Sequence, residues 1–202
     1  MSQNASGAND PAASPTLEEI DVVVEEIASL SRAPVAPSEF YPEFLRRVVA
    51  GLAALGGAVW IRHASGRLHA GYELAASPVG PDVESASLAR HEPWAAHVLE
   101  QNAPCVVSPG GLLPGSPAST NPTGWLLLFC PWAVGGGASA GVVEILQRPT
   151  ESPTLQRGYL RFLEVACELL ADYVRNLQLR DLQRRAAVWD QFEEFCRRAH
   201  AS

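Results

Sequence analysis

The sequence predicts an α+β domain: an antiparallel central sheet with helices packed on its faces, and a long C-terminal helix. Three observations carry that prediction. Apolar residues recur at helical spacing near both ends of the chain and switch to strand patterning between them. Neighbouring strands are joined by short turns, which is how antiparallel pairs are connected. Residues 159–202 then run without a single glycine or proline. At about 1.5 Å per residue such a helix reaches roughly 60 Å, about twice the width of a small domain, so it connects one domain or subunit to another.

Residues 1–15 are rich in Ser, Asn, Ala, Gly and Pro and read as a disordered tail. Thr16-Leu17-Glu18-Glu19 has capping-box form and opens an amphipathic helix through about Leu30, with Ile20, Val23, Val24 and Ile27 on one side. Pro34 and Pro37 stop it. Ser38 is placed to cap a second helix carrying Phe40, Phe44, Val48, Leu52 and Leu55, ended by Gly56-Gly57. Residues 58–63 and 67–74 read as a hairpin about Ala64-Ser65-Gly66. After a Pro/Gly/Ser segment at 76–87, a third helix spans 88–101. A short strand (104–107) and a long Gly/Pro/Ser loop (108–123) lead to residues 125–132, whose continuous apolar run implies cover on both faces. Residues 135–137 turn the chain into a last strand, 141–146, and Ser152-Pro153 supplies the cap and first residue of the long helix. The division expected is therefore a tail (1–15), a domain (16–178) and a helical extension (179–202).

Composition excludes several classes. The chain has 202 residues, a net charge of −7 and no lysine, so all its cations are arginine. Without a basic stripe, non-specific nucleic-acid binding is not expected. No apolar run approaches the ~20 residues of a membrane span, and the N-terminal stretch is no signal peptide. Cys105, Cys130, Cys167 and Cys196 are widely spaced within predicted elements, as buried thiols are in a reducing cytoplasm, and a cytoplasmic location is expected. Alanine, arginine, glycine and proline in place of lysine point to a GC-rich bacterial genome.

The helix-to-strand passage Phe44-Leu45-Arg46-Arg47-Val48-Val49 through Gly57-Ala58-Val59-Trp60-Ile61, the strand Gly141-Val142-Val143-Glu144-Ile145-Leu146, and the long exit helix together resemble a GAF domain, the small-ligand and signalling module related to PAS domains. The likeness spans residues 40–179. The chain is also similar to GAF-like regions found ahead of secretion-type membrane-fusion subunits in some bacteria. Two activities of the family are not carried over. Cyclic-nucleotide-binding members have an asparagine–lysine start to their signature, which a chain without lysine cannot match. Bilin-binding members attach chromophore through a cysteine followed by histidine, whereas these cysteines precede Val106, Pro131, Glu168 and Arg197.

The resemblance implies a pocket between the sheet and the elements after the first hairpin, with Trp60, Arg62, Tyr72, Trp94, His97, Trp125 and Cys130 as candidate lining residues. Aromatic residues on strands more often form core than a ligand box, and many domains of this class bind nothing. Glu144, in an otherwise apolar strand, reads as a buried and hydrogen-bonded structural acid. His63 and His69 flank a turn without a third ligand, and His91 and His97 lie on different helix faces, so no metal site is expected. No cofactor and no catalytic residue are assigned. Cys105 and Cys130 raise the alternative of a thiol-based small-molecule reductase, disfavoured because both sit among apolar residues. A ligand-free scaffold is the other alternative.

The long helix carries the firmest expectation. Tyr159, Leu163, Ala166, Leu170, Tyr173 and Leu177 step by four and three, a heptad seam. The phase then slips and restarts at Leu182, Ala186, Trp189, Phe192 and Cys196. A homodimer is expected through Leu163, Leu170, Tyr173, Leu177, Trp189 and Phe192. A break near Arg180, folding the end back as a separate helix, is the alternative. With no stop signal at its end, the chain reads as the front of a longer protein.

Overall fold

A computed structural model describes residues 17–75, 91–115, 120–135 and 139–200. In chain order these form α1 (Leu17–Arg32), α2 (Pro37–Gly51), β1 (Gly56–Arg62), β2 (Leu68–Ala75), α3 (Glu92–Gln101), β3 (Cys105–Val107), β4 (Leu126–Ala133), β5 (Ser139–Gln147) and α4 (Pro153–His200). The strands make one sheet of order β2-β1-β5-β4-β3, and every neighbouring pair is antiparallel. The predicted α+β class and its long terminal helix are what the chain adopts. The expected tail, the cap at Thr16 and the whole 76–87 segment lie outside the described residues.

The sheet divides the core into two layers. On one face, α1, α2 and the first half of α4 bury Phe40, Phe44, Val48, Leu163, Leu170 and Tyr173 against Val59, Leu126, Leu128, Val143 and Ile145. On the other, α3 buries Trp94, Val98 and Leu99 against Trp60, Leu127, Phe129, Val142 and Leu146. β4 feeds both layers residue by residue, which is why its apolar run is unbroken. β3 has three residues against eight in β4, so it covers only the Leu127–Phe129 stretch of its neighbour.

Two boundaries differ from expectation. α2 starts at Pro37, a proline at the first helical turn preceded by Ala36 with no side-chain cap, so Ser38 is already inside the helix. It ends at Gly51, and Gly56-Gly57 open β1 instead of closing α2. Gly57 is needed there for close approach: a Cβ would come to 2.8 Å from the Ile145 side chain and press on the Glu144 carbonyl. α4 begins as expected, with the Ser152 hydroxyl accepting from the Leu155 amide at 3.4 Å. It runs unbroken past Arg180.

Gly141 sits where β5 passes between Trp60 and Trp132. A Cβ would meet the Trp60 carbonyl and come to 2.6 Å from Trp132 Nε1. The Gly141→Ala variant is expected to lose about 3 kcal/mol through forced repacking, read as a lower midpoint of urea unfolding. An unchanged midpoint would show that this approach is slack.

Candidate functional site

Alternation along β5 turns Val143 and Ile145 to the three-helix layer and Val142, Glu144 and Leu146 to α3. Glu144 is therefore a carboxylate in the middle of a sheet under a helix, with no exposed surface. An unpaired charge there would cost several kcal/mol, so it requires donors. Trp60, on neighbouring β1, gives its indole N–H to Oε2 at 2.8 Å. His91, at the N-cap position of α3, contacts Oε1 directly through Nδ1 and makes no side-chain cap to its own helix. The His91 ring stacks on Trp94 at 5.6 Å, and Trp94 meets Phe129 edge-on at 6.5 Å. This buried cluster pins the start of α3 to the sheet. It offers no nucleophile and no path for a substrate.

The seven residues expected around one pocket are split by the sheet. Trp60, Trp94 and Trp125 pack in the α3 layer. Tyr72 and Cys130 belong to the opposite layer, where Tyr72 stacks on Tyr41 at 5.0 Å. Arg62 ends β1, half-buried, and among the described residues its Nε finds no partner. His97 contacts the Pro114 carbonyl at 2.9 Å across a cleft of about 230 Å³ beside Cys105. Cys130 instead lines a groove of about 560 Å³ between the end of β4 and α4, over Cys167. Arg161 and Arg175 on that groove are engaged by Glu164 and Asp172.

Asn121 escaped the sequence reading. Buried at the end of the long loop, its Nδ2 donates to the carbonyls of Val107, Ser108 and Trp125, and its Oδ1 accepts from the amide and hydroxyl of Thr123. One side chain thus shapes the entry into β4. The Asn-Pro pair is a turn signal, and nothing local distinguishes it from other turn residues in that loop.

Cys105 and Cys167 are poor nucleophiles. Cys105 faces α3 while Cys130 faces the helical layer, so the two do not meet through the sheet. Burial, helped by the nearby Cys130, pushes the Cys105 thiol up to about 11. Burial also holds Cys167 well above the usual thiol range, and its S–H points at the Cys130 carbonyl at 3.7 Å.

The expected dimer seam is corrected in its first half. Leu163, Leu170 and Tyr173 are fully covered within the chain itself, by the helices and strands of the first layer. Leu177 is half-buried beside them. Only Trp189 and Phe192 of that set stand exposed, with their rings 6.1 Å apart. Periodicity reported the stripe correctly but could not say what covers it.

No protein-family model matches the sequence, and no curated protein matches it. Solved structures do match its fold. The GAF domain of nlh2 from A. aeolicus, in an inactive state, aligns at 18% identity over 78% of this chain and 96% of its own, with a TM-score of 0.54. The GAF domain of an Acinetobacter phosphoenolpyruvate-protein phosphotransferase aligns at 12% identity over 82% of this chain and 97% of its own, with a TM-score of 0.55. A domain of a putative two-component sensor histidine kinase protein from Sinorhizobium meliloti aligns at 15% identity over 74% and 98%, with a TM-score of 0.52. The chain has the GAF fold. The expected likeness to regions ahead of secretion-type membrane-fusion subunits finds no support in these comparisons. Among the described residues, no helix is long and apolar enough to cross a membrane.

Two expectations follow. Glu144→Ala, which strands the Trp60 indole and His91, should cost about 3 kcal/mol, and Glu144→Gln, which keeps an acceptor, should cost clearly less. Urea titrations followed by tryptophan fluorescence compare them, and equal losses would remove the hydrogen-bonding account. With its thiol raised to about 11, Cys105 should resist iodoacetamide at pH 7.5 in the folded protein and react only after unfolding, as read by peptide mass spectrometry.

Proposed function

We propose that the chain is a non-enzymatic regulatory module: a GAF-fold domain (16–178) that forms a homodimer through the helical extension (179–202). One observation carries this reading. α4 leaves the core as a continuous helix, and along its free part Leu182, Val188, Trp189 and Phe192 are between 56% and 65% exposed. Aromatic side chains of this size in water are costly enough that a partner surface is the economical explanation. A second copy fits that surface. Leu182, Trp189 and Cys196 recur every seven residues, with Ala186 between them, as a coiled-coil seam requires. Asp181 pairs with Arg185 along the helix at 2.9 Å, which keeps those two charges off the seam.

The regulatory part rests on kinship of fold with domains from a phosphotransferase and a sensor kinase. It rests equally on the absence of a reactive centre among the described residues: Glu144 is buried and engaged, and burial raises the thiols of Cys105 and Cys167. A ligand-free form is favoured over a ligand-gated one, because Trp60, Trp94 and Phe129 fill the space between α3 and the sheet.

Native mass spectrometry of the purified protein is the test, with a dimer without added small-molecule mass as the expected result. Trp189→Glu combined with Phe192→Glu should shift it to monomer with the unfolding midpoint unchanged. A wild-type monomer would refute the dimer, and retained ligand mass would replace the scaffold form with a sensor. Leu170→Glu is no test of association, since it places a charge inside the core and should unfold the domain.

A further inference from the structure

The last carbonyls of α1 have no partners within their own helix, as at any helix end. α4 supplies them. The Tyr173 hydroxyl donates to the Val35 carbonyl at 3.0 Å, Asn176 Nδ2 to Ser31 at 3.5 Å, and Arg180 Nη1 to Ala33 at 3.2 Å. Residues 173, 176 and 180 lie on one face of a helix, so a single stripe of α4 caps α1 and the connector into α2. A cation at this position also suits the negative end of α1. The same guanidinium uses its Nε to hold the Asn176 carbonyl of α4 at 3.2 Å, bridging the two helices.

Location gives these bonds their meaning. Arg180 and Asp181 are half-buried, and from Leu182 to Trp189 every residue is exposed. The set thus lies where α4 passes from its packed part to its exposed part. On the inner side, the Tyr173 ring stacks on Phe40 of α2 at 3.5 Å and 2°, and α2 packs on the sheet. On the outer side, a groove of about 630 Å³ between Pro34–Pro37 and Leu177 leaves the Arg180 side chain room to take another position. Its Nη2 is buried and finds no partner among the described residues.

We propose that Tyr173, Asn176 and Arg180 form a joint that fixes the direction in which α4 leaves the domain, with Arg180 as its positioning residue. The proposal deepens the regulatory reading above and rests on it for its consequence: the joint sets how two domains are held relative to one another at the root of the paired helices. A shift of α2 over the sheet reaches this set through the stack of Phe40 on Tyr173.

Hydrogen exchange on the full chain tests it. In Arg180→Ala, exchange of α4 amides at 177–184 should accelerate by about tenfold while β5 amides keep their protection, the pattern of a local opening. Arg180→Lys, which can still donate to Ala33, should restore most of it. A second readout uses Leu182→Cys: its disulfide cross-linking between copies should change in rate when Arg180→Ala is added. Unchanged exchange in Arg180→Ala overturns the joint, and so does an equal loss of protection in β5, which would make Arg180 a general stabiliser. If the wild-type protein is monomeric, the dimer reading fails by itself, and the exchange arm still decides the joint.

Discussion

The constraint on which the rest of the structure depends is the double-sided burial of β4 and β5. Leu126, Leu128, Val143 and Ile145 demand cover on one face and Leu127, Phe129, Val142 and Leu146 on the other. A two-layer arrangement would leave half of these in water. Three helices answer on one side and α3 on the other. This is why the first half of α4, despite its coiled-coil spacing, is consumed inside the domain. The sheet claims that stripe before any partner can.

Glu144 sits against this background as a deliberate exception. In a layer otherwise sealed by tryptophans and aliphatics, a single carboxylate is tolerated because Trp60 and His91 reach it. Its effect is directional: an apolar residue would let α3 slide on a greasy surface, while an acid with two donors selects one position for the helix. His91 forgoes capping α3 to do this. The polar cluster thus belongs to architecture, and the tryptophans beside it serve as packing.

How much was legible follows from the range of each interaction. The order of elements, the continuous apolar β4 and the buried character of Glu144 are properties of local pattern and could be read directly. The partners of Glu144 stand 84 and 53 residues away in sequence, so a list of aromatic and polar candidates could not sort them to the correct face. Seven plausible pocket residues were therefore grouped across a sheet that separates them. The stripe from Leu163 to Tyr173 was visible as a period, but a period carries no record of what lies opposite it. Asn121 was invisible for another reason: three of its five hydrogen bonds stay within four residues, yet an asparagine in a Gly/Pro/Ser loop looks like any turn residue. α2 shows the limit at boundaries, where Pro37 and Ser38 each offer a start signal and only packing selects between them.

The shortness of β3 has a bearing on how copies of this chain can aggregate. Beyond Phe129 the outer margin of β4 has no strand beside it among the described residues, and an unpaired margin is a template on which a passing polypeptide can grow a cross-β fibre. Pro131 falls in that stretch and brings no amide hydrogen, so the row of donors is interrupted where it is least guarded. Substitution by valine would complete the row. The proline is therefore read as a guard on that margin against growth of the sheet edge to edge.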